Sequence, residues 1–209
     1  MTDKATEWKY AEQLIGEPEH IAAARTHSLE LGVDSVSPGV GAALAFIAGA
    51  TGASNIMELG TGCGVSALWM LHGAPHATLT SIDTEVDHQQ AARTALIGAG
   101  VPSSRIRLIA GRAREVLPRM NEGAYDLMLI DADAAGATAY LEHGLTLVRP
   151  GGVILIAHAL WQGRVADPTK RDATTVTYRT LLTDIAASGI TASLTPLGDG
   201  LLQVLRPTD

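Results

Sequence analysis

The run Asn55-Ile56-Met57-Glu58-Leu59-Gly60-Thr61-Gly62-Cys63-Gly64-Val65-Ser66-Ala67 constrains the fold more than any other part of the chain. A short apolar stretch ends in an acid, glycines follow at alternate positions, and helix-forming residues come next. That is a strand, a tight turn and a helix start. Glycine in such a turn lets a ligand approach the backbone where the first amides of the helix point outward. A second apolar run, 77–82, ends in Asp83. A carboxylate at the tip of the neighbouring strand suits the two hydroxyls of a ribose, so the two motifs together read as a nucleoside-binding half of an α/β sheet.

The remaining pattern extends that sheet. Strands are expected at 55–59, 77–83, 105–110, 125–131 and 152–158, with helices at 65–73, 87–99, 113–120 and 137–148 between them. Strand and helix alternating at this spacing imply a mostly parallel, doubly wound sheet covered on both faces. Roughly fifty residues of helical character come first. A helix runs from Pro18 to Gly32, and a second begins at Ser37-Pro38, where serine caps and proline occupies the first turn. After a helix at about 172–188, segments 190–197 and 201–206 flank Gly198-Asp199-Gly200 and read as a hairpin. The fold class is therefore Rossmann-like α/β with seven strands, closed by an antiparallel hairpin.

At 209 residues and 46% hydrophobic content, one domain can bury a full core. The expected organisation is a single unit over 1–209, with N-terminal helices in 1–52 and the ligand-binding core in 53–209. A net charge of −7 argues against nucleic-acid partners, whose affinity comes mainly from Lys and Arg on phosphates. Cys63 is the only cysteine, which excludes an intrachain disulfide and points to a reducing cytoplasm. The opening Met1-Thr2-Asp3-Lys4-Ala5-Thr6-Glu7 is polar and unlike a signal peptide, and no apolar run reaches membrane-spanning length. A small-molecule substrate is the expectation.

Which nucleoside is bound is the next question, because Gly62-x-Gly64-x-x-Ala67 also satisfies the loose dinucleotide pattern, with Asp83 near its expected distance of about 20 residues. Glu58 before the glycines and the long helical preface shift the balance. A Glu-x-Gly-x-Gly-x-Gly turn with a strand-end acid after it resembles the S-adenosyl-L-methionine-dependent methyltransferases. A second block, Tyr125-Asp126-Leu127-Met128-Leu129-Ile130-Asp131-Ala132-Asp133, is followed by Arg149-Pro150-Gly151-Gly152 and by Leu160-Trp161-Gln162-Gly163. Together these are similar to the catechol and caffeoyl-CoA type of O-methyltransferase, and to actinobacterial O-methyltransferases of unassigned substrate. The resemblance covers about residues 36–206.

What it implies is specific. Val36, Glu58, Gly60, Thr61 and Ser66 would contact the amino-acid and sulfonium end of S-adenosyl-L-methionine, Asp83 the ribose, and Ala113 the adenine. Asp131 would sit beside the sulfonium. Family members that use a divalent cation take ligands from the position of Asp131 and from an Asp-Asn pair, which here reads Ala157-His158; the family's lysine position is Ala134. No metal site is therefore expected, since magnesium asks for an octahedral oxygen set. His158, with an ordinary pKa near 6.5, becomes the candidate base, with Asp131 holding it or the acceptor.

Blander readings stand beside these. Asp83 can cap the helix starting near Asp87, Glu58 can pair a buried backbone group, Asp133 can orient a loop, His158 can be a structural strand-end histidine, and Cys63 can simply pack. Arg164 and Asp167 frame either a substrate loop or a solvated ion pair. The expected activity is methyl transfer to a hydroxyl of a small acceptor without magnesium. The alternatives are a catalytically degenerate cofactor binder and an NAD-dependent oxidoreductase. A homodimer is expected from the resemblance and from the amphipathic segment 11–31, which looks too detached from the sheet to bury itself.

Overall fold

The computed structural model describes residues 4–208, so Met1, Thr2 and Asp3 of the polar opening segment lie outside the described residues. Three helices come first: α1 (Lys4–Leu14), α2 (Glu19–Glu30) and α3 (Pro38–Ala50). Then β1 (Asn55–Leu59), α4 (Val65–Gly73), β2 (Thr78–Asp83), α5 (Val86–Gly98), β3 (Ile106–Ala110), α6 (Ala113–Val116), β4 (Tyr125–Ile130), α7 (Ala137–Leu147) and β5 (Val148–Ile156) alternate. The chain closes with α8 (Ala173–Ser188), β6 (Ala192–Thr195) and β7 (Leu201–Leu205).

The strands form one sheet in the order β3-β2-β1-β4-β5-β7-β6. The first five run parallel, and β7 runs antiparallel to both β5 and β6, as the hairpin reading expects. The crossovers diverge between β1 and β4, so the carboxyl ends of these two neighbours flank a crevice. Buried side chains alternate between the two faces. Ile56, Leu127, Leu129 and Leu155 meet the residues of α2 to α5, whereas Met57, Leu59, Met128, Ile130, Ile154 and Ile156 meet α7 and α8. Both faces of each central strand are covered, which is why these strands read as unbroken apolar runs.

Several boundaries differ from expectation for local reasons. Segment 11–31 takes in the end of α1, which stops at Leu14, and α2, which starts after Pro18 as expected. Helix α6 stops at Val116 and tightens into a short 3-10 turn, Leu117–Arg119, at Pro118, which has no amide hydrogen to donate. Strand β5 begins at Val148, earlier than expected, because Val148 pairs with Tyr125 before the register shifts across Pro150-Gly151-Gly152. It also ends at Ile156, so His158 is not a strand-end residue. It stands in the following turn with φ 59, a left-handed backbone unusual outside glycine. Ser37 caps α3 as expected, accepting from the Val40 amide at 3.2 Å.

Candidate functional site

The glycine turn connects β1 to α4 at the open end of the sheet. Gly60 has φ +89, and a Cβ placed there would stand 1.8 Å from the Asp131 carbonyl oxygen, so only glycine lets β1 and β4 end side by side. Beneath the turn lies a buried polar network. Glu58 is 0% exposed; its two carboxyl oxygens accept from Ser66 Oγ and Ser81 Oγ, both at 2.6 Å, and Ser81 Oγ lies 2.7 Å from Thr61 Oγ1. Burial pushes the Glu58 carboxyl up to about 8, against the two serine hydrogen bonds. Glu58 therefore braces the turn from below and does not line the cavities above it. The hydroxyls of Thr61 and Ser66 are turned into the same network, which leaves their backbone to face a ligand.

Two cavities meet above the turn. One of about 160 Å³ is walled by residues 33–36, the turn 60–63, Ser66, Asp83 and Asp131. The other, about 640 Å³, is walled by Asp83, Gly111, Arg112, Ala113, Arg114, Asp131 and Tyr140. Gly60, Asp83, His88 and Asp131 belong to both, so the two form one trough. Val36 and Ala113 thus stand at opposite ends of it. Asp83 does not cap α5, whose cap residue is Glu85. Its oxygens instead accept the Gly62 amide at 3.0 Å and the Glu85 amide at 2.9 Å. Each oxygen keeps a further lone pair.

At the rim, His158 is held between two carboxylates. Its Nδ1 lies 2.5 Å from Asp199 Oδ1, and its Nε2 lies 3.3 Å from Asp131 Oδ1. Asp199 also accepts the Gln162 amide on Oδ2 at 3.1 Å, and its carbonyl accepts the Leu160 amide at 2.7 Å, so it ties down the turn that carries His158. Hydrogen bonds donated by the imidazolium to Asp131 and Asp199 push the His158 pKa up to about 10, against burial, which favours the neutral ring. This corrects the expectation of a free imidazole near 6.5: in the resting protein the ring is charged. The same partner lowers the Asp199 carboxyl, again against burial. Tyr178, which stacks on Trp161 with centroids 5.9 Å apart, is raised above its ordinary value by burial and by the same acidic cluster.

These donors do not suit a hard divalent cation. Each nitrogen of His158 already faces a carboxylate, Ala157 and Ala134 offer no side-chain ligand atom, and among the described residues no three His, Cys, Asp or Glu side chains are grouped to hold a metal ion. Asp133 accepts from Tyr140 Oη at 2.5 Å, the loop-orienting role. Arg164 pairs with Asp172 at 2.6 Å rather than with Asp167, which instead accepts from Thr169. Cys63 is buried, its thiol raised by desolvation. Asp199 and His88 escaped the sequence reading; the first sat in a Gly-Asp-Gly turn explained by hairpin chemistry alone.

A parallel sheet with an antiparallel seventh strand, opening a ligand trough over an acid-braced glycine turn, defines a methyltransferase of the Rossmann-like type. More particularly, the chain belongs to the O-methyltransferase family, whose model matches residues 14–207. A provisionally named O-methyltransferase of Mycobacteroides abscessus is 45% identical over 199 residues, spanning 94% of this chain and 93% of the relative. A crystal structure of a Corynebacterium glutamicum protein superposes with a TM-score of 0.88 at 28% identity, covering 98% of each chain. The O-methyltransferase of Streptomyces achromogenes involved in tomaymycin synthesis, solved in complex with SAM, gives a TM-score of 0.83 at 26% identity over 97% of this chain and 96% of that one.

Proposed function

We propose that the chain transfers a methyl group from S-adenosyl-L-methionine to the hydroxyl of a small phenolic acceptor without magnesium, using His158 and Asp131. The observation that carries this reading is His158 set between Asp131 and Asp199 at the rim of the trough. The trough fits the cofactor. Asp83 has lone pairs to spare for a diol, and a Cβ built at Gly62 would find only Val33 Cγ1, at 3.5 Å, within contact range, so the backbone there is open to close approach. When bound, the cofactor supplies a methyl group whose bond to sulfur breaks as its bond to the acceptor oxygen forms.

The hydroxyl proton is then left to the protein. Asp199 fixes the Nδ1 side of His158, which makes Nε2 the reacting nitrogen. Asp131 faces both that nitrogen and the trough, so positive charge bound in the trough offsets the carboxylate that retains the Nε2 proton. His158, about one-third exposed, releases that proton to solvent and can then accept the one from the acceptor. Beyond this the protein chiefly aligns the two reactants, which by itself supplies much of the rate.

The test is turnover of a phenol library with labelled cofactor, with and without chelator. Turnover should survive chelation, and His158→Ala should lose roughly 10²- to 10⁴-fold while still binding cofactor. Turnover abolished by chelation and restored by magnesium, or a fully active His158→Ala, overturns the mechanism. A homodimer is part of the same reading, supported by the exposed Trp8, Tyr10, Leu14 and Ile15 at the N-terminal helix. So is a cytoplasmic location, on the strength of the single cysteine. Among the described residues no helix is long and apolar enough to cross a membrane.

A further inference from the structure

Helix α1 is exposed along its length, yet one of its side chains joins two distant parts of the site. The Glu12 carboxylate accepts from Ser37 Oγ at 2.6 Å and from the Gly39 amide at 3.2 Å on one oxygen, and from the Gly198 amide on the other. Ser37 directly follows residues 33–36, a wall of the trough. Gly198 directly precedes Asp199, which holds His158. The fit is also steric. A Cβ at Gly39 would stand 2.4 Å from Glu12 Oε2, and one at Gly198 would stand 2.9 Å from Val40 Cγ2 and 3.4 Å from Ser37 Oγ. Glycine at both positions lets the carboxylate, the start of α3 and the hairpin turn interlock.

We propose that Glu12 is a positioning residue, a latch by which α1 sets the cofactor wall at 33–36 and the Asp199 grip on His158 together. The proposal rests on the cofactor and His158 roles given above. A single oxygen acceptor could not do this, because the donors come from two sides. Glutamine tests that point: it keeps the length of the side chain but turns an amide N–H toward one of the two sets of donors. Opening the latch frees both segments at once, so cofactor affinity and histidine geometry should change in the same variant. Glu7 lies on the same helix, is exposed, and serves as the control.

The experiment compares wild type, Glu12→Gln and Glu7→Gln by calorimetry with S-adenosylhomocysteine and by NMR of 15N-histidine-labelled protein. Glu12→Gln should bind about fivefold more weakly or worse, with undiminished stoichiometry, the loss expected for one net hydrogen bond. It should also shift the downfield Nδ1 proton of the His158–Asp199 hydrogen bond, and Glu7→Gln should do neither. Unchanged affinity and an unmoved proton, with only the folded fraction reduced, overturn the proposal. Amide exchange of Gly198 in the wild type decides the matter even if the variant does not fold: slow exchange supports the latch, and exchange as fast as a free surface amide overturns it. Wild type that fails to bind S-adenosylhomocysteine sinks the cofactor reading, while Gly198 exchange and the His158 proton still report on the latch.

Discussion

Replacing Glu58 with glutamine should stabilise the protein at neutral and alkaline pH and change little in acid. Glu58 is 0% exposed, and its carboxyl titrates at about 8 in the fold against 4.5 as a free side chain. Between those values the folded state holds a proton that the unfolded chain has released. Unfolding then gives up a proton, so stability is highest below pH 4.5 and falls as pH rises through the window up to 8. At about 1.4 kcal/mol per pH unit, the wild type should lose roughly 3–4 kcal/mol between pH 5 and pH 8. Glutamine carries no charge at any pH, and the Ser66 and Ser81 hydroxyls can rotate to meet its oxygen and its amide. His158, raised to about 10, also makes stability fall as pH climbs from 6.5, but it does so in both proteins and cancels in the difference. Thermal melts of the pair from pH 5 to 8 should therefore diverge, reaching about 6–12 °C for 3 kcal/mol in a chain of this size. A difference that stays flat across this range, or that favours the wild type as pH rises, would mean that Glu58 is ionised inside the fold, and the desolvation argument would fail.

Asp83→Ala should weaken S-adenosylhomocysteine binding roughly 10- to 150-fold, the loss of a charged hydrogen bond; calorimetry giving wild-type affinity in a folded mutant removes Asp83 from the site. Asp199→Asn keeps the shape but not the charge, so the His158 pKa should fall from about 10 toward its ordinary value, read by NMR titration; a value that does not move would credit Asp131 alone. Light scattering should give a dimeric mass at micromolar concentration, and a strictly monomeric mass counts against the exposed apolar residues of the N-terminal helix as a subunit contact.

The parts of this molecule that announce themselves in sequence are those governed by neighbours in the chain. The β1 strand, its glycine turn and α4 form a contiguous local unit, and Asp83 falls at a strand tip because the apolar run of β2 stops there. Ser37-Pro38 marked the start of α3 through capping chemistry that needs only the next three residues. What stayed hidden depends on tertiary approach. Asp199 reaches His158 only because β7 folds back antiparallel on β5, across a sequence separation that no local pattern reports. The raised charge state of His158 follows from that approach, so a base assigned from an ordinary pKa was assigned to the wrong resting form. Glu58 illustrates the same limit: its place before the glycines was plain, but only the fold shows it facing Ser66 and Ser81 instead of the trough.

The left-handed backbone of His158 sets a local strain against the two ion pairs of its side chain, which bears on any effort to engineer this position. At φ 59 a side chain crowds its own carbonyl, a strain of the order of 1–2 kcal/mol that glycine escapes. Glycine there would relieve that strain but leave Asp131 and Asp199 facing one another without the imidazolium between them, a loss that outweighs the gain. A library screened on melting temperature alone should therefore retain histidine at residue 158, and takeover by glycine would show the backbone strain to be the larger effect.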